Sequence, residues 1–219
     1  MLTLLLATRN AHKVGEIRAI LGDEIRYLTL NDAAGAPKVV EDADSFAGNA
    51  TKKAVELARW KSEVRSPKEE QAGPIFVLAD DSGLEVDALN GAPGVHSARF
   101  AALDSKKAGN SSDAENCAKL LRLLKDVPAE RRTGRFRCVI ALARADSRFE
   151  ISDLRLFNGA CEGWIGFEPR GHNGFGYDPL FIPTGFEQTF AELGDDVKNR
   201  LSHRTRALEE FQRYLGGVR

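Results

Sequence analysis

The sequence predicts an α/β fold, because short apolar strands alternate with helices along the chain. Residues 2–7 and 75–79 are apolar runs without charge, which is typical of strands buried in a sheet. Polar residues follow each run, and ligands of open α/β sheets bind at the carboxyl ends of strands. The chain has 219 residues, of which 42% are hydrophobic. It can therefore bury a sizeable core, as one large domain or as two lobes that share a sheet.

Composition excludes several classes of protein. Lys and Arg number 31 and Asp and Glu number 32, so the formal net charge of −1 argues against broad, sequence-independent binding of nucleic acid. The three cysteines, Cys117, Cys138 and Cys161, lack CxxC spacing, which indicates neither a disulfide framework nor a cysteine zinc site. No run approaches about 18 apolar residues, and the first residues do not resemble a signal peptide. We therefore expect a soluble, cytoplasmic protein.

The first strand leads into a turn with the composition of an anion-binding site. The turn and the start of the following helix consist of Thr8, Arg9, Asn10, Ala11, His12 and Lys13. Free backbone N–H groups and the positive end of the helix dipole attract anions at such a position, and Lys13 adds a positive charge. The glycines of a Walker loop are missing. A capped helix with a solvated lysine explains the same residues, so this segment alone leaves both interpretations open.

A second strand around residues 25–28 precedes a group of acids. Glu41, Asp42 and Asp44 stand ahead of a helix that Ser45 can cap and that runs from Phe46 to about residue 64. Acids near a helix start are favoured by the helix dipole. The same acids could bring a second carboxylate to a metal held at the next strand. After this helix, the sequence predicts a polar surface connection over residues 66–73.

Two adjacent carboxylates follow the apolar strand of residues 75–79. The segment Asp80-Asp81-Ser82-Gly83 is expected to interrupt that strand, and residues 84–89 then alternate like a half-exposed strand. Because successive strand residues point to opposite faces, Asp80 and Asp81 are expected to do different tasks. One would face the site, and the other would turn back to hold backbone amides. Taken alone, the motif favours a simple turn.

The second half of the chain is predicted to be strand-rich. We expect a turn at residues 90–94, a loop over 101–112, paired strands at 135–145 and 149–157, and a short strand at 179–183. Ser112 and Glu115 predict a capping box for a helix that runs through Lys125.

A glycine-dense segment, residues 159–178, contains Phe175 and Tyr177 and suits close approach of a planar base, whose stacking is worth about 1–3 kcal/mol. The last helix has an apolar stripe of Leu208, Phe211 and Leu215. Ser202 could cap this helix near His203, or the helix could begin earlier. Basic residues in a first helical turn oppose the dipole, so Lys198, His203 and Arg204 are predicted to face a ligand.

Five motifs, in this order, resemble those of the inosine triphosphatase family, the noncanonical purine nucleoside triphosphate pyrophosphatases. The motifs are residues 8–13, residues 80–84, residues 91–94 with 97–100, residues 174–179, and Lys198 with residues 202–204. Any one motif is weak, whereas the ordered set spans nearly the whole chain and is specific. The chain departs from the family pattern at Arg9 and His12, where glycine is usual, and at Gly48, where Glu is frequent.

The resemblance implies an elongated, two-lobed α/β fold with a central mixed β-sheet flanked by helices and an active site in the cleft between the lobes. Residues 1–219 would form one domain, whose second lobe is built mainly from about residues 84–170. The implied reaction is hydrolysis of inosine, deoxyinosine and xanthosine triphosphates to the monophosphate and pyrophosphate. The implied cofactor is Mg²⁺, and the implied assembly is a homodimer.

The resemblance also implies roles for individual residues. Asp81 would activate the attacking water, and Asp81 with Glu41 or Asp42 would hold the metal. Phe175 would stack on the base, and Lys198, His203 and Arg204 would recognise the oxygens of the base. The implied substrate-binding residues are Thr8, Arg9, Asn10, Ala11, His12, Lys13, Ser82, Phe175, Gly176, Tyr177, Asp178, Lys198, His203 and Arg204.

Two other classes of protein remain open at this point. One is a nucleotide-binding regulatory module without chemistry, although paired acids are a poor choice for binding phosphate without a metal. The other is a phosphohydrolase of similar fold that acts on pyrimidine or methylated nucleotides.

Overall fold

The computed structural model describes residues 2–105, 109–146 and 153–217, and within them the chain forms six strands and eight α-helices. The strands are β1 (Thr3–Leu6), β2 (Arg26–Thr29), β3 (Ile75–Val86), β4 (Thr133–Arg144), β5 (Arg155–Ile165) and β6 (Phe181–Pro183). The helices are α1 (Ala11–Leu21), α2 (Phe46–Glu63), α3 (Pro67–Gln71), α4 (Ala102–Ser105), α5 (Asp113–Leu123), α6 (Phe190–Leu193), α7 (Asp195–Leu201) and α8 (His203–Gly217).

The six strands form one mixed sheet in the order β2-β1-β3-β4-β5-β6. Strand β1 pairs in parallel with both β2 and β3, whereas β5 and β6 are antiparallel. Every residue of β1 is buried, as expected for a parallel strand covered on both faces. The predicted α/β class with a central mixed sheet is therefore confirmed.

Strand β3 differs from the prediction in one important respect. It continues without interruption from Ile75 to Val86, so the expected turn at residues 80–83 is wrong. Asp80 and Asp81 are buried within the strand, although aspartate is unfavourable there by propensity alone. Ion pairs and hydrogen bonds from distant residues, described below, compensate the two carboxylates and override the local turn signal.

The chain divides into two compact units, each with its own core. The first unit contains the residues up to Asp81, those from Val139 to Asn158, and those from Ala207 onward. Its buried apolar residues include Leu5 of β1 and Phe211 of α8. The second unit contains Ser82–Cys138 and Gly159–Arg206. Its core includes an aromatic cluster in which the rings of Phe136 and Phe181 have centroids 4.7 Å apart.

Helix starts follow the predicted capping signals. Ser45 caps α2 by accepting a hydrogen bond from the Gly48 N–H at 3.2 Å. Ser112 and Glu115 form the predicted capping box of α5. Ser202 separates α7 from α8, and its hydroxyl accepts from the Thr205 N–H at 3.2 Å. Of the two possibilities that the sequence left open, α8 therefore begins at His203 with Ser202 as its cap.

Four predicted boundaries are wrong. The strand predicted over residues 84–89 is the end of β3, which stops at Val86 and is followed by a 3-10 helix, Asp87–Leu89. The polar connection after α2 contains α3, and the expected loop after residue 101 begins with α4. Strand β5 runs on to Ile165, so the first part of the glycine-dense segment is strand rather than loop. The predicted start of that strand at Phe149 lies outside the described residues. No helix among residues 2–105, 109–146 and 153–217 is both long enough and apolar enough to span a membrane.

Candidate active site

The two carboxylates of β3 meet different helices of the first unit. Asp80 forms an ion pair with Lys13 of α1, in which the Asp80 side chain is almost fully buried. The Asp81 carboxylate instead accepts a hydrogen bond from the Asn49 side chain of α2 at 3.1 Å. Lys53, also on α2, donates to the backbone carbonyl of Asp80 at 2.7 Å. The different tasks expected from strand alternation are therefore present, and Lys13 is a partner of the Asp80 side chain.

Burial makes Asp81 an unusually basic carboxylate. It is 6% exposed, and loss of hydration raises its pKa from 3.8 to about 6. The positive charges of Lys53 and Lys13 and the hydrogen bond from Asn49 act in the opposite direction, while the charge of Glu41 adds to the rise. A carboxylate with this pKa is ionised at neutral pH and still accepts a proton readily, which suits a general base.

The turn before α1 is more fully capped than the sequence predicted. The side-chain oxygen of Asn10 accepts from the backbone N–H groups of His12 at 2.9 Å and of Lys13 at 3.2 Å. Two amides that the sequence left free for an anion are thus already hydrogen-bonded. Thr8 supports the turn by accepting from the Asn10 N–H at 3.1 Å. Arg9, Asn10, Ala11 and His12 are exposed, and Thr8 and Lys13 are partly buried.

The acids ahead of α2 point in different directions. Glu41 lies with its Oε2 atom 3.4 Å from the Lys53 ammonium, and that ammonium lies 3.7 Å from Asp81 Oδ1. Asp42 instead pairs with Lys52 at 2.7 Å, its side chain is 65% exposed, and this hydrogen bond lowers its pKa. Glu41 therefore shares a lysine with Asp81, whereas Asp42 is engaged at the surface.

The donor set of this cluster fits Mg²⁺. Among the described residues, no group of three or more His, Cys, Asp or Glu side chains could hold a metal by itself. Mg²⁺ rarely requires such a cage, because it is usually held by one or two carboxylates together with substrate phosphates and waters. Glu41 and Asp81 supply two hard oxygen donors around one lysine ammonium, a position where positive charge is already stabilised.

A second cluster lies in the second unit, around Asp178. The Oδ2 atom of Asp178 accepts from Lys198 Nζ at 2.6 Å and from the Phe175 backbone N–H at 2.8 Å. Lys198 Nζ also lies 4.3 Å from the centroid of the Phe175 ring. Gly174 has a φ of +75°, and a Cβ atom there would overlap the same Oδ2 atom, so a side chain at this position would displace Asp178. Asp178 therefore fixes an aromatic ring and a lysine next to each other.

The start of α8 adds two buried basic residues to the second unit. His203 stacks on Phe136 with ring centroids 4.9 Å apart. Arg204 is 1% exposed, and its Nη2 atom donates to the Ser82 hydroxyl at 3.2 Å. Ser82 directly follows Asp81 in the chain.

Tyr177 and Gly176, which the sequence also predicted to bind substrate, form hydrogen bonds within the protein. The Tyr177 hydroxyl donates to the Ser97 carbonyl at 2.9 Å, and burial raises its pKa. The Gly176 N–H donates to Asp113 at 2.6 Å. Tyr177 is therefore part of the core that supports the glycine turn, whereas Phe175 carries the aromatic face beside Lys198.

Sequence reasoning missed Asn49 and Lys53. Both residues contribute to the first cluster, the one around Asp80 and Asp81, from one face of α2. The two residues are four apart, so they lie one helical turn apart on the buried side of the helix. A sequence signal was available, because polar residues occupy positions in an otherwise apolar stripe that includes Ala50, Ala54 and Leu57. Buried polar groups at such positions have partners, and here those partners are the carboxylates and the acidic segment.

Fold and cluster together define an α/β protein with a buried acid–lysine site on one strand of its sheet. A family model described as the Ham1 family matches residues 4–214. Two relatives named dITP/XTP pyrophosphatase, from Desulforamulus reducens and Exiguobacterium sibiricum, are each 44% identical to this chain. The alignments cover 97% of this chain in both cases and 94% and 96% of the relatives.

Solved structures agree with these relatives. A HAM1 protein from Coxiella burnetii matches with a TM-score of 0.80 and 36% identity, covering 99% of this chain and 100% of that chain. The Ham1 protein of Staphylococcus aureus matches with a TM-score of 0.77 and 31% identity, covering 99% of this chain and 100% of that chain. This chain belongs to the Ham1 family, and the resemblance inferred from the five motifs is confirmed.

Proposed function

We propose that this chain is a hydrolase that cleaves inosine, deoxyinosine and xanthosine triphosphates between the α- and β-phosphates, releasing the monophosphate and pyrophosphate. The observation that carries the proposal is the buried cluster of Asp80, Asp81, Lys13 and Lys53 in the first unit. Relatives named dITP/XTP pyrophosphatase support the same reaction. Removal of such nucleotides from the cellular pool is the biological role that follows.

The phosphate chemistry is assigned to the first cluster. Glu41 and Asp81 would hold Mg²⁺, which supplies charge neutralisation for the triphosphate when bound. Lys13, Thr8 and Asn10 bind the phosphates, with Arg9, Ala11 and His12 in the same turn. The oxygen of the attacking water forms a bond to the α-phosphorus, Asp81 accepts the proton of that water, and the bond from the α-phosphorus to the pyrophosphate leaving group breaks. Such a reaction depends mainly on positioning and on electrostatic stabilisation, which lysines and carboxylates supply.

Recognition of the base is assigned to the second cluster. Phe175 stacks on the purine, and Lys198, His203 and Arg204 donate to its oxygens. Ser82 and Asp178 hold Arg204 and Lys198, and Gly176 and Tyr177 support the turn that carries Phe175. Hypoxanthine and xanthine carry an oxygen acceptor at position 6, where adenine carries an amino donor. The amino group of adenine would face these donors without an acceptor, and each buried polar group left unpaired weakens binding by about 1–3 kcal/mol.

Assembly and location complete the proposal. A homodimer is proposed from the family resemblance. A cytoplasmic location is supported by Cys117, Cys138 and Cys161, which are buried and form no disulfide, as expected in a reducing compartment.

The test is a panel of nucleoside triphosphates with detection of pyrophosphate. We expect rapid release from inosine, deoxyinosine and xanthosine triphosphates and slow release from adenosine triphosphate. Binding without release would favour a regulatory module, and a preference for pyrimidine or methylated nucleotides would favour a different phosphohydrolase.

A further inference from the structure

Asn49 connects two parts of the first unit that carry carboxylates. It lies in the first turn of α2, is 1% exposed, and uses both ends of its amide. Its Oδ1 atom accepts from the Ala43 backbone N–H at 3.0 Å, and its Nδ2 atom donates to Asp81 Oδ2 at 3.1 Å. One rigid side chain thus joins the acidic segment before α2 to the carboxylate of β3.

The acidic segment is held at Ala43 by a second contact. A Cβ atom on Gly48 would lie only 2.7 Å from Ala43 Cβ, so the absence of a side chain at Gly48 lets Ala43 pack closely on the helix. Residues 41–44 have no helix or strand of their own, and Glu41 stands two residues before this anchored point. The position of the Glu41 backbone therefore depends on how Ala43 is held.

We propose that Asn49 is a positioning residue that sets the spacing between the Glu41 and Asp81 carboxylates. The inference rests on the proposed function, in which these two groups hold Mg²⁺. An amide suits the task because it accepts at one end and donates at the other. Groups that orient the ligands of a metal typically change metal affinity or activity about 10- to 100-fold when they are removed.

The chain offers a matched control in Asn116 of α5. This residue is 2% exposed, its Oδ1 atom accepts from the Ala101 N–H at 2.9 Å, and its Nδ2 atom donates to the Ala98 carbonyl at 3.3 Å. Asn116 therefore ties a loop to a helix with the same two groups as Asn49, but both of its partners are backbone atoms. Removal of either side chain should lower the Tm, because buried backbone groups lose their partners.

The experiment compares wild type, Asn49→Ala and Asn116→Ala. The rise in Tm of the substrate-free protein is measured during titration with Mg²⁺, together with kcat and KM for inosine triphosphate. We expect Asn49→Ala to need about tenfold more Mg²⁺ for half of its Tm rise and to have a kcat at least about tenfold lower. Asn116→Ala should keep the wild-type Mg²⁺ midpoint and kcat despite its lower Tm.

A Mg²⁺ midpoint and kcat in Asn49→Ala equal to those of Asn116→Ala would overturn the inference and leave Asn49 with a structural role only. If Asn49→Ala does not fold, Asn49→Asp serves instead, since it keeps the acceptor for Ala43 and replaces the donor to Asp81 with a second carboxylate. We expect a kcat about tenfold lower in that variant, and a wild-type kcat would overturn the inference. Wild-type protein with neither a Mg²⁺-dependent Tm rise nor turnover would instead contradict the proposed function.

Discussion

At the scale of single residues, Asp81 illustrates how a functional group opposes stability. Its pKa is raised from 3.8 to about 6 because the carboxylate loses hydration when it is buried. The folded state therefore binds this proton more tightly than the unfolded state. It follows that the contribution of Asp81 to the stability of the substrate-free protein is lost as the pH rises from about 4 to about 6.

This leads to a prediction for Asp81→Asn. An amide cannot ionise, so the free energy of unfolding of the substrate-free variant at about pH 7.5 should exceed that of wild type by up to about 3 kcal/mol. The same variant should lose turnover by about 10²- to 10⁴-fold, because the proposed general base is absent. Denaturant unfolding and kcat are the measurements. Near-normal turnover would mean that another group activates the water. A free energy of unfolding below that of wild type would contradict the prediction that burial of the Asp81 charge destabilises the fold.

Arg204 is the residue that tests base recognition. A charge-assisted contact to a base oxygen is worth about 1.5–3 kcal/mol, so Arg204→Ala should lower kcat/KM for inosine triphosphate about 10- to 100-fold. Use of adenosine triphosphate should change much less, since adenine has no acceptor at position 6. The exposed arginine of α7, Arg200, provides the control, and Arg200→Ala should leave both substrates unaffected. An equal fall for both substrates in Arg204→Ala would place Arg204 on the phosphates or in the structure.

At the scale of elements, local signals predicted the parts of the chain that depend on local physics. Strand β1, the Ser45 cap of α2 and the capping box of α5 were all predictable, because apolar patterning and caps act over a few residues. Strand β3 was predicted as broken because Asp, Ser and Gly favour turns locally. The interactions that keep it extended come from Lys13, 67 residues away, and from Asn49, 32 residues away.

The glycine turn before Asp178 gives a prediction at this scale. Gly174 has a φ of +75°, and a Cβ there would lie 2.1 Å from the Asp178 oxygen that holds both Lys198 and the Phe175 N–H. Gly174→Ala should therefore displace Lys198 and Phe175, the pair proposed to bind the base, and raise KM for inosine triphosphate about tenfold or more, which is at least about 1.4 kcal/mol of binding. KM and Tm are the measurements.

Gly185 serves as the control for that variant. Its φ is +90°, and a Cβ there would meet nothing within 4 Å. Gly185→Ala should have a lower Tm from backbone strain of about 1–2 kcal/mol but an unchanged KM. Equal KM values in the two variants would contradict a role for the Gly174–Asp178 contact in substrate binding.

At the scale of the whole molecule, each unit carries one kind of chemistry. The first unit holds the carboxylates and lysines proposed to act on the phosphates, and the second holds the aromatic and basic groups proposed to bind the base. Sequence motifs found most members of both sets. Asn49 and Lys53 were missed, because their positions in the apolar stripe of α2 indicate burial but do not indicate that their partners are Asp80 and Asp81. The capping of two amides by Asn10 also required three-dimensional geometry.

The most direct test of the proposed reaction is the identity of its products. Inosine triphosphate is incubated with the full-length protein and Mg²⁺, and the phosphorus signals are followed by ³¹P NMR. We predict that inosine monophosphate and pyrophosphate accumulate in equal amounts and that excess chelator stops the reaction, since the carboxylates then lack the cation that offsets their charge. Accumulation of inosine diphosphate and inorganic phosphate, or undiminished turnover in excess chelator, would contradict the proposed cleavage between the α- and β-phosphates with Mg²⁺.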